Sequence, residues 1–220
     1  MTSAAFFVRL FHIVNIMSNK FKIDESHGMI HSMKVLNYAH DIYETQKYKY
    51  PILQSQERVI YMASVLHDMC DKKYMNETEG IKEIHRLLDL DSVVDKTEEW
   101  KKNRAEENRI SQRIMQTMSY STVKKYGYPD LGEYQHAYHI VREADLLSAY
   151  DFDRSMMYHM RKHDCDIQEA YYNAHDIFCS RILKYNMDGL FVSDYAKHAS
   201  IQLHNQAVRR MVTWKKILQV

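Results

Sequence analysis

The chain has 220 residues, of which 45% are hydrophobic, and a formal net charge of +1. With 5 Gly and 2 Pro it has little material for hairpin turns or glycine-rich phosphate loops, so the composition points to a nearly all-helical chain of about one domain. Lysine pairs at Lys72-Lys73, Lys101-Lys102, Lys124-Lys125 and Lys215-Lys216 are scattered among acids, which argues against a dedicated nucleic-acid surface, and Cys70, Cys165 and Cys179, odd in number and without C-x-x-C spacing, fit reduced thiols in a cytoplasmic setting.

The elements follow in chain order. "AAFFVRLFHIVNIM" is interrupted by Arg9 and His12, has no small-residue cleavage site and is too short to span a bilayer, so residues 1–22 read as a helical segment packing on the rest, with no membrane partner. Asp24 or Ser26 can cap a helix running to about Tyr48, where Pro51 stops it. A second helix runs from about Gln54 to Leu66, and "EGIKEIHRLL" reads as a third. Thr97 to Met118 is charged, with Ile110, Ile114 and Met118 on one side. "SYSTVKKYGYPDLG" reads as a turn-rich divider, followed by helices at about 132–149, 151–161, 167–186 and 192–218. The expected architecture is all-α, with residues 23–220 forming a single helical bundle with peripheral and C-terminal helices.

Function is carried by histidine and aspartate. The dipeptide occurs at His40-Asp41, His67-Asp68, His163-Asp164 and His175-Asp176, and context separates them. His67-Asp68 follows "MASVL", where a buried polar pair needs an internal partner. A divalent cation supplies one: imidazole donates a lone pair and carboxylate cancels charge. Upstream, His27 and His31 stand at i and i+4 on one helix face. His40, nine positions after His31, falls roughly half a turn round at about 100° per residue and points away. Downstream, Asp145 in "IVREADLLSAYD" is another acid inside an apolar helix.

The order His31, His67-Asp68, Asp145 resembles the HD-domain metal-dependent phosphohydrolase superfamily. "HSMKVLNYA" is similar to its H-x-x-R-V-x-x-x-A helix. "VLHDMCDKKY", "SYS" and "EADLLSA" resemble the L-H-D-x-x-D-x-K, S-[FY]-S and D-A-D-R-L-D-A segments of a subgroup that includes bacterial nucleoside-triphosphate pyrophosphatases. The resemblance covers residues 25 to 155 and extends less closely to about 215 through "FCSRILKY". Lys34 stands where the family has arginine, Glu143 replaces the first acid of D-A-D, Leu146 its arginine and Ser148 its last aspartate, so the superfamily is better marked than the subgroup.

The resemblance implies one divalent ion held by His31, His67, Asp68 and Asp145. Mn²⁺ or Mg²⁺ suits such a set, and Fe²⁺, Co²⁺, Ni²⁺ or Zn²⁺ is compatible with its histidines. The expected reaction is attack of an ion-activated water on a nucleotide phosphoryl group, splitting a nucleoside triphosphate into monophosphate and pyrophosphate. Lys34, Lys72, Lys73, Lys124, Lys125 and Arg154 are the expected substrate-binding cations. His27 is expected to protonate a leaving oxygen or bond a phosphate, and Asp71 to hold a water or merely stabilise a loop by bonding Lys73. Glu143 is either beside the ligands or exposed. Alternatives on the same fold are a nucleotide phosphomonoesterase, a catalytically silent metal- or nucleotide-binding regulator, and a di-iron oxygenase, which would need His85 and His136 or His139 as further ligands. The partner expected is a small-molecule nucleotide, and a homodimer is compatible with the sequence.

Overall fold

Polar caps set most helix starts. The structure, a computed structural model, describes residues 3–89 and 97–220 and contains ten α-helices and no strand among them. These are α1 (Ala4–Phe21), α2 (Met29–Gln46), α3 (Leu53–Leu66), α4 (Glu77–Asp89), α5 (Glu98–Thr117), α6 (Tyr120–Tyr126), α7 (Gln135–Ser148), α8 (Phe152–His163), α9 (Ile167–Ser180) and α10 (Asp194–Leu218). Side-chain oxygens of Ser3, Thr97, Ser119, Asp151, Asp166 and Ser193 accept from first-turn amides of α1, α5, α6, α8, α9 and α10, satisfying donors that a helix start leaves open.

Three helices form the centre. α7 packs against both α2 and α3, which also pack on each other. Most of α7 is buried, including Ala137, Tyr138, Val141, Ala144 and Leu147, as befits a helix covered on several sides. Small residues let the backbones approach: Ser32 and Ala39 on α2, Ala63 and Ser64 on α3, Ala144 and Ser148 on α7 are all buried. α5 covers α3, α8 and α9 pair with each other, and α10 lies across α7, α2, α8 and α9.

α1 belongs to the same hydrophobic core. Leu10, Ile13, Val14 and Met17 are buried on it, each worth roughly 1.5–3 kcal/mol relative to exposure. Polar ties add direction: Arg9 donates to the carbonyls of Leu87 and Leu88 in the last turn of α4, Lys20 meets Glu83 at 3.0 Å, and the Arg58 guanidinium lies 4.1 Å from the Phe6 ring centre. Among the described residues no helix is long and apolar enough to cross a membrane. The three cysteines are free thiols.

Three boundaries differ from expectation. α2 starts at Met29 after Gly28 with no side-chain cap, so neither Asp24 nor Ser26 caps it and His27 lies in the turn before it rather than on the helix with His31. The divider after Met118 contains α6, because Ser119 caps it and Gly127, at φ +77, ends it. α9 stops at Ser180 rather than 186, where Arg181 leaves helical geometry at φ −135 and a 3₁₀ turn at Ile182–Lys184 follows.

Candidate metal centre and its cleft

His67 and Asp68 sit where α3 ends. The last helical residue is Leu66, and the chain continues in turns through Tyr74. His67 Nδ1 donates to the carbonyl of Ser64 at 2.9 Å. That bond satisfies a terminal carbonyl of α3 and fixes the tautomer, leaving Nε2 free to face inward. His31 projects from the first turns of α2, and Asp145 from α7.

The four side chains converge. His31 Nε2 lies 3.1 Å from His67 Nε2, 3.1 Å from Asp68 Oδ2 and 3.7 Å from Asp145 Oδ1. His67 Nε2 lies 3.3 Å from Asp68 Oδ2 and 3.6 Å from Asp145 Oδ1. Ligand bonds of about 2.1 Å give neighbouring donors about 3.0 Å apart in an octahedron and about 3.4 Å in a tetrahedron. The ligand atoms of His31, His67 and Asp145 all lie within 4.8 Å of one another, a group of two imidazole nitrogens and a carboxylate oxygen that could hold a divalent ion, and Asp68 Oδ2 lies against both imidazoles.

Electrostatics bind the cluster together. Burial works against charge on His67, but the Asp68 and Asp145 carboxylates outweigh it and hold the imidazole well above the usual histidine range. Burial would raise both acids, yet His67 brings Asp145 to about 2 and, with His27 and His31, Asp68 well below the ordinary carboxylate. His31 goes the other way: burial and then the Arg154 charge push it down to about 4. Arg154 Nη1 is 2.9 Å from His31 Nδ1 and donates at 2.8 Å to the carbonyl of Ser26.

A cleft of about 480 Å³, within the range of small-molecule sites, opens over the cluster. His27, Asp71, Lys72, Lys73 and Arg154 line it beside the four presumed ligands. Burial lowers His27, so its ring is neutral near pH 7. Lys73 Nζ, 3.3 Å away, can only donate to Nε2, which puts the ring proton on Nδ1 towards Ser26 Oγ at 2.8 Å and Tyr74 Oη at 3.0 Å. Asp71 bonds the Lys73 amide at 2.9 Å and ammonium at 3.5 Å, and Lys72 meets Glu77 at 3.1 Å.

Lys34, Lys124 and Lys125 are not among the lining residues. Lys34 is held by Asp151 at 2.7 Å. Lys124 and Lys125 point along the exposed side of α6, over the Tyr120 and Tyr126 rings. Another cation, Arg181, lines the cleft from the end of α9 and is not singled out by the sequence. Its signal was there: Ala174, Ile177, Phe178, Arg181 and Tyr185 recur at helical spacing, an arginine continuing an apolar face. Asp151, likewise missed, lines the cleft and caps α8.

Other histidines are engaged away from the cluster. His40 pairs with the Tyr61 hydroxyl at 2.9 Å, on the side of α2 away from His31. His85 bonds Gln112 at 2.7 Å, His136 stacks on Tyr50 at 3.7 Å, and His139 lies 3.3 Å from Gln135, so none supplies the ligands a di-iron centre needs. Glu143 is buried and accepts from the amides of Val192 and Ser193, tying α7 to the start of α10. Leu146 is a buried part of the cleft wall, and Ser148 Oγ turns back to the Asp145 carbonyl at 2.7 Å.

No protein-family model, curated protein or solved structure matches the chain.

Proposed function

We propose that this cleft is the active site of a metal-dependent phosphohydrolase of the HD-domain type, acting on nucleotides. The observation that carries the reading is the convergence of His31, His67, Asp68 and Asp145 at the floor of a ligand-sized cleft whose walls hold Lys72, Lys73, Arg154 and Arg181. An ion held there, Mn²⁺ or Mg²⁺ by the donor set, supplies Lewis acidity that polarises a phosphoryl oxygen and acidifies water near neutral pH.

The chain's own groups do the rest. The Ser64 carbonyl fixes His67 so that its ring cannot turn from the site. Arg154, beside His31, is placed to hold a phosphoryl oxygen through its remaining donors. Lys73, oriented by Asp71 and by Nε2 of His27, presents an ammonium to the same cleft. With its proton on Nδ1 and its Nε2 accepting from Lys73, His27 serves the site by orienting that ammonium rather than as a resting acid. Attack at the α-phosphorus of a nucleoside triphosphate, releasing monophosphate and pyrophosphate, is the reaction we assign.

The test is turnover. Metal-free protein loaded with Mn²⁺ or Mg²⁺ is presented with nucleoside mono-, di- and triphosphates in ¹⁸O-labelled water. Label in the nucleoside monophosphate, with pyrophosphate as coproduct, supports the assignment. Label only in orthophosphate moves the attack to another phosphorus, and no turnover on any nucleotide contradicts the phosphohydrolase reading.

A further inference from the structure

The charges of the cleft are unevenly satisfied. Of its cations, Lys73 faces Asp71 and Lys72 faces Glu77. The lining carboxylate Asp151 is taken by Lys34. Asp68 and Asp145 face the two histidines. Arg154 and Arg181 remain, and among the described residues neither has a carboxylate within ion-pair distance.

Arg181 is also held ready. Its guanidinium lies 4.0 Å from the centre of the Tyr120 ring and 5.8 Å from that of Tyr185, and its Nε donates to the Tyr185 hydroxyl at 2.9 Å. The aromatic contacts and this bond restrain the side chain while leaving both terminal nitrogens without a protein partner among the described residues. Arg154 approaches the cluster at His31, from α8. Arg181 approaches it from the end of α9, through Tyr185, which is fully buried and lies in the field of Asp145. The two arginines therefore flank the cluster from different elements, and a planar guanidinium with a free edge suits a phosphate oxygen pair better than a lysine engaged by an acid.

We propose that Arg181 is a substrate-binding residue that holds a second phosphoryl group, so that the cleft selects nucleotides carrying two or more linked phosphates over monophosphates. This rests on the phosphohydrolase reading and adds to it the residue that reads phosphate-chain length. Arg154 and the ion take the phosphoryl group under attack. Arg181, clamped by Tyr120 and Tyr185, takes the next ones along the chain, the task the Lys124-Lys125 turn is not placed to perform.

The experiment is equilibrium binding to the Mn²⁺-loaded full chain, with Mn²⁺-saturated inorganic tripolyphosphate and with orthophosphate as probes. Native protein should prefer tripolyphosphate. Arg181→Gln should weaken tripolyphosphate about 10- to 100-fold, as loss of a charge-assisted contact implies, and orthophosphate by no more than about threefold. Arg181→Lys should recover part of the difference. If Arg181→Gln loses its helical signal, the comparison is made on Arg181→Lys, whose tripolyphosphate affinity should fall between native and unselective. Equal effects on the two probes, or no effect on tripolyphosphate in variants that stay folded, would overturn the role of Arg181 alone. Native protein that binds neither probe would overturn it together with the reading beneath it.

Discussion

Arg154 Nη1 donates to Nδ1 of His31 across 2.9 Å, and this bond sets the state of the ring. A guanidinium has no acceptor, so the proton of neutral His31 sits on Nε2, the nitrogen that faces Asp68 and His67. His67 donates from Nδ1 to Ser64, and Asp68 and Asp145 favour a second proton on its Nε2, which an ion must displace. An ion that takes both Nε2 lone pairs therefore requires Arg154 to release Nδ1, while its bond to the Ser26 carbonyl can keep it close. Metal and arginine compete for one ring.

Replacing Arg154 tests that competition. Arg154→Leu should bind Mn²⁺ at least as tightly as the native chain while losing affinity for phosphate about 10- to 100-fold. Weaker Mn²⁺ binding in a folded variant would show that Arg154 supports the ligands instead.

Protons should leave as the ion enters. His67 is held above the ordinary histidine value, so in metal-free protein its charged form contributes stability that is full below about pH 6.5 and fades as pH rises through the raised value. Asp68 and Asp145 are depressed, so their contribution is present above about pH 3.9 and is lost as pH falls through the lowered values. The ion takes neutral imidazole, so Mn²⁺ affinity should rise with pH above about pH 6.5 until His67 passes its raised value, with about one proton released per ion. Calorimetry in buffers of different ionisation heat measures this, and a pH-independent affinity would contradict it.

His27, in the turn before α2, and His40, on the side of α2 away from His31, carry opposite expectations. His27→Ala should keep the ion and lower turnover, because it removes the acceptor that orients Lys73. His40→Ala should leave metal content and turnover unchanged, since its contact is with Tyr61. Equal losses in the two variants would show that the face of α2 is misassigned.

Glu143 is the structural counterpart. Glu143→Ala leaves the Val192 and Ser193 amides without their carboxylate and should cost about 2–4 kcal/mol of stability in chemical denaturation, given about 1.5–3 kcal/mol per hydrogen bond to a charged group. An unchanged unfolding midpoint would place the anchor of α10 elsewhere.

The sequence made the helices and the four convergent side chains legible because both depend on local spacing and on the cost of burying polar groups. His67, Asp68 and Asp145 each stand in apolar surroundings that demand a partner, whereas His31 joins them through the family resemblance. Arg181 was harder to see, since its role depends on where α9 ends, and no glycine or proline marks the break at Ser180. Lys34 and the Lys124-Lys125 pair misled for the opposite reason. Their proximity to motifs along the chain is plain, but whether a lysine meets a carboxylate or solvent is decided by tertiary contacts such as Lys34 with Asp151.

The central claim is that His31, His67, Asp68 and Asp145 form one ion site, and metal stoichiometry tests it most directly. Mn²⁺ titrated into metal-free protein and followed by electron paramagnetic resonance should saturate at about one ion per chain, whereas Asp68→Ala, with its helical circular dichroism intact, should bind at least about 100-fold more weakly. Native-like affinity and stoichiometry in that variant would contradict the account.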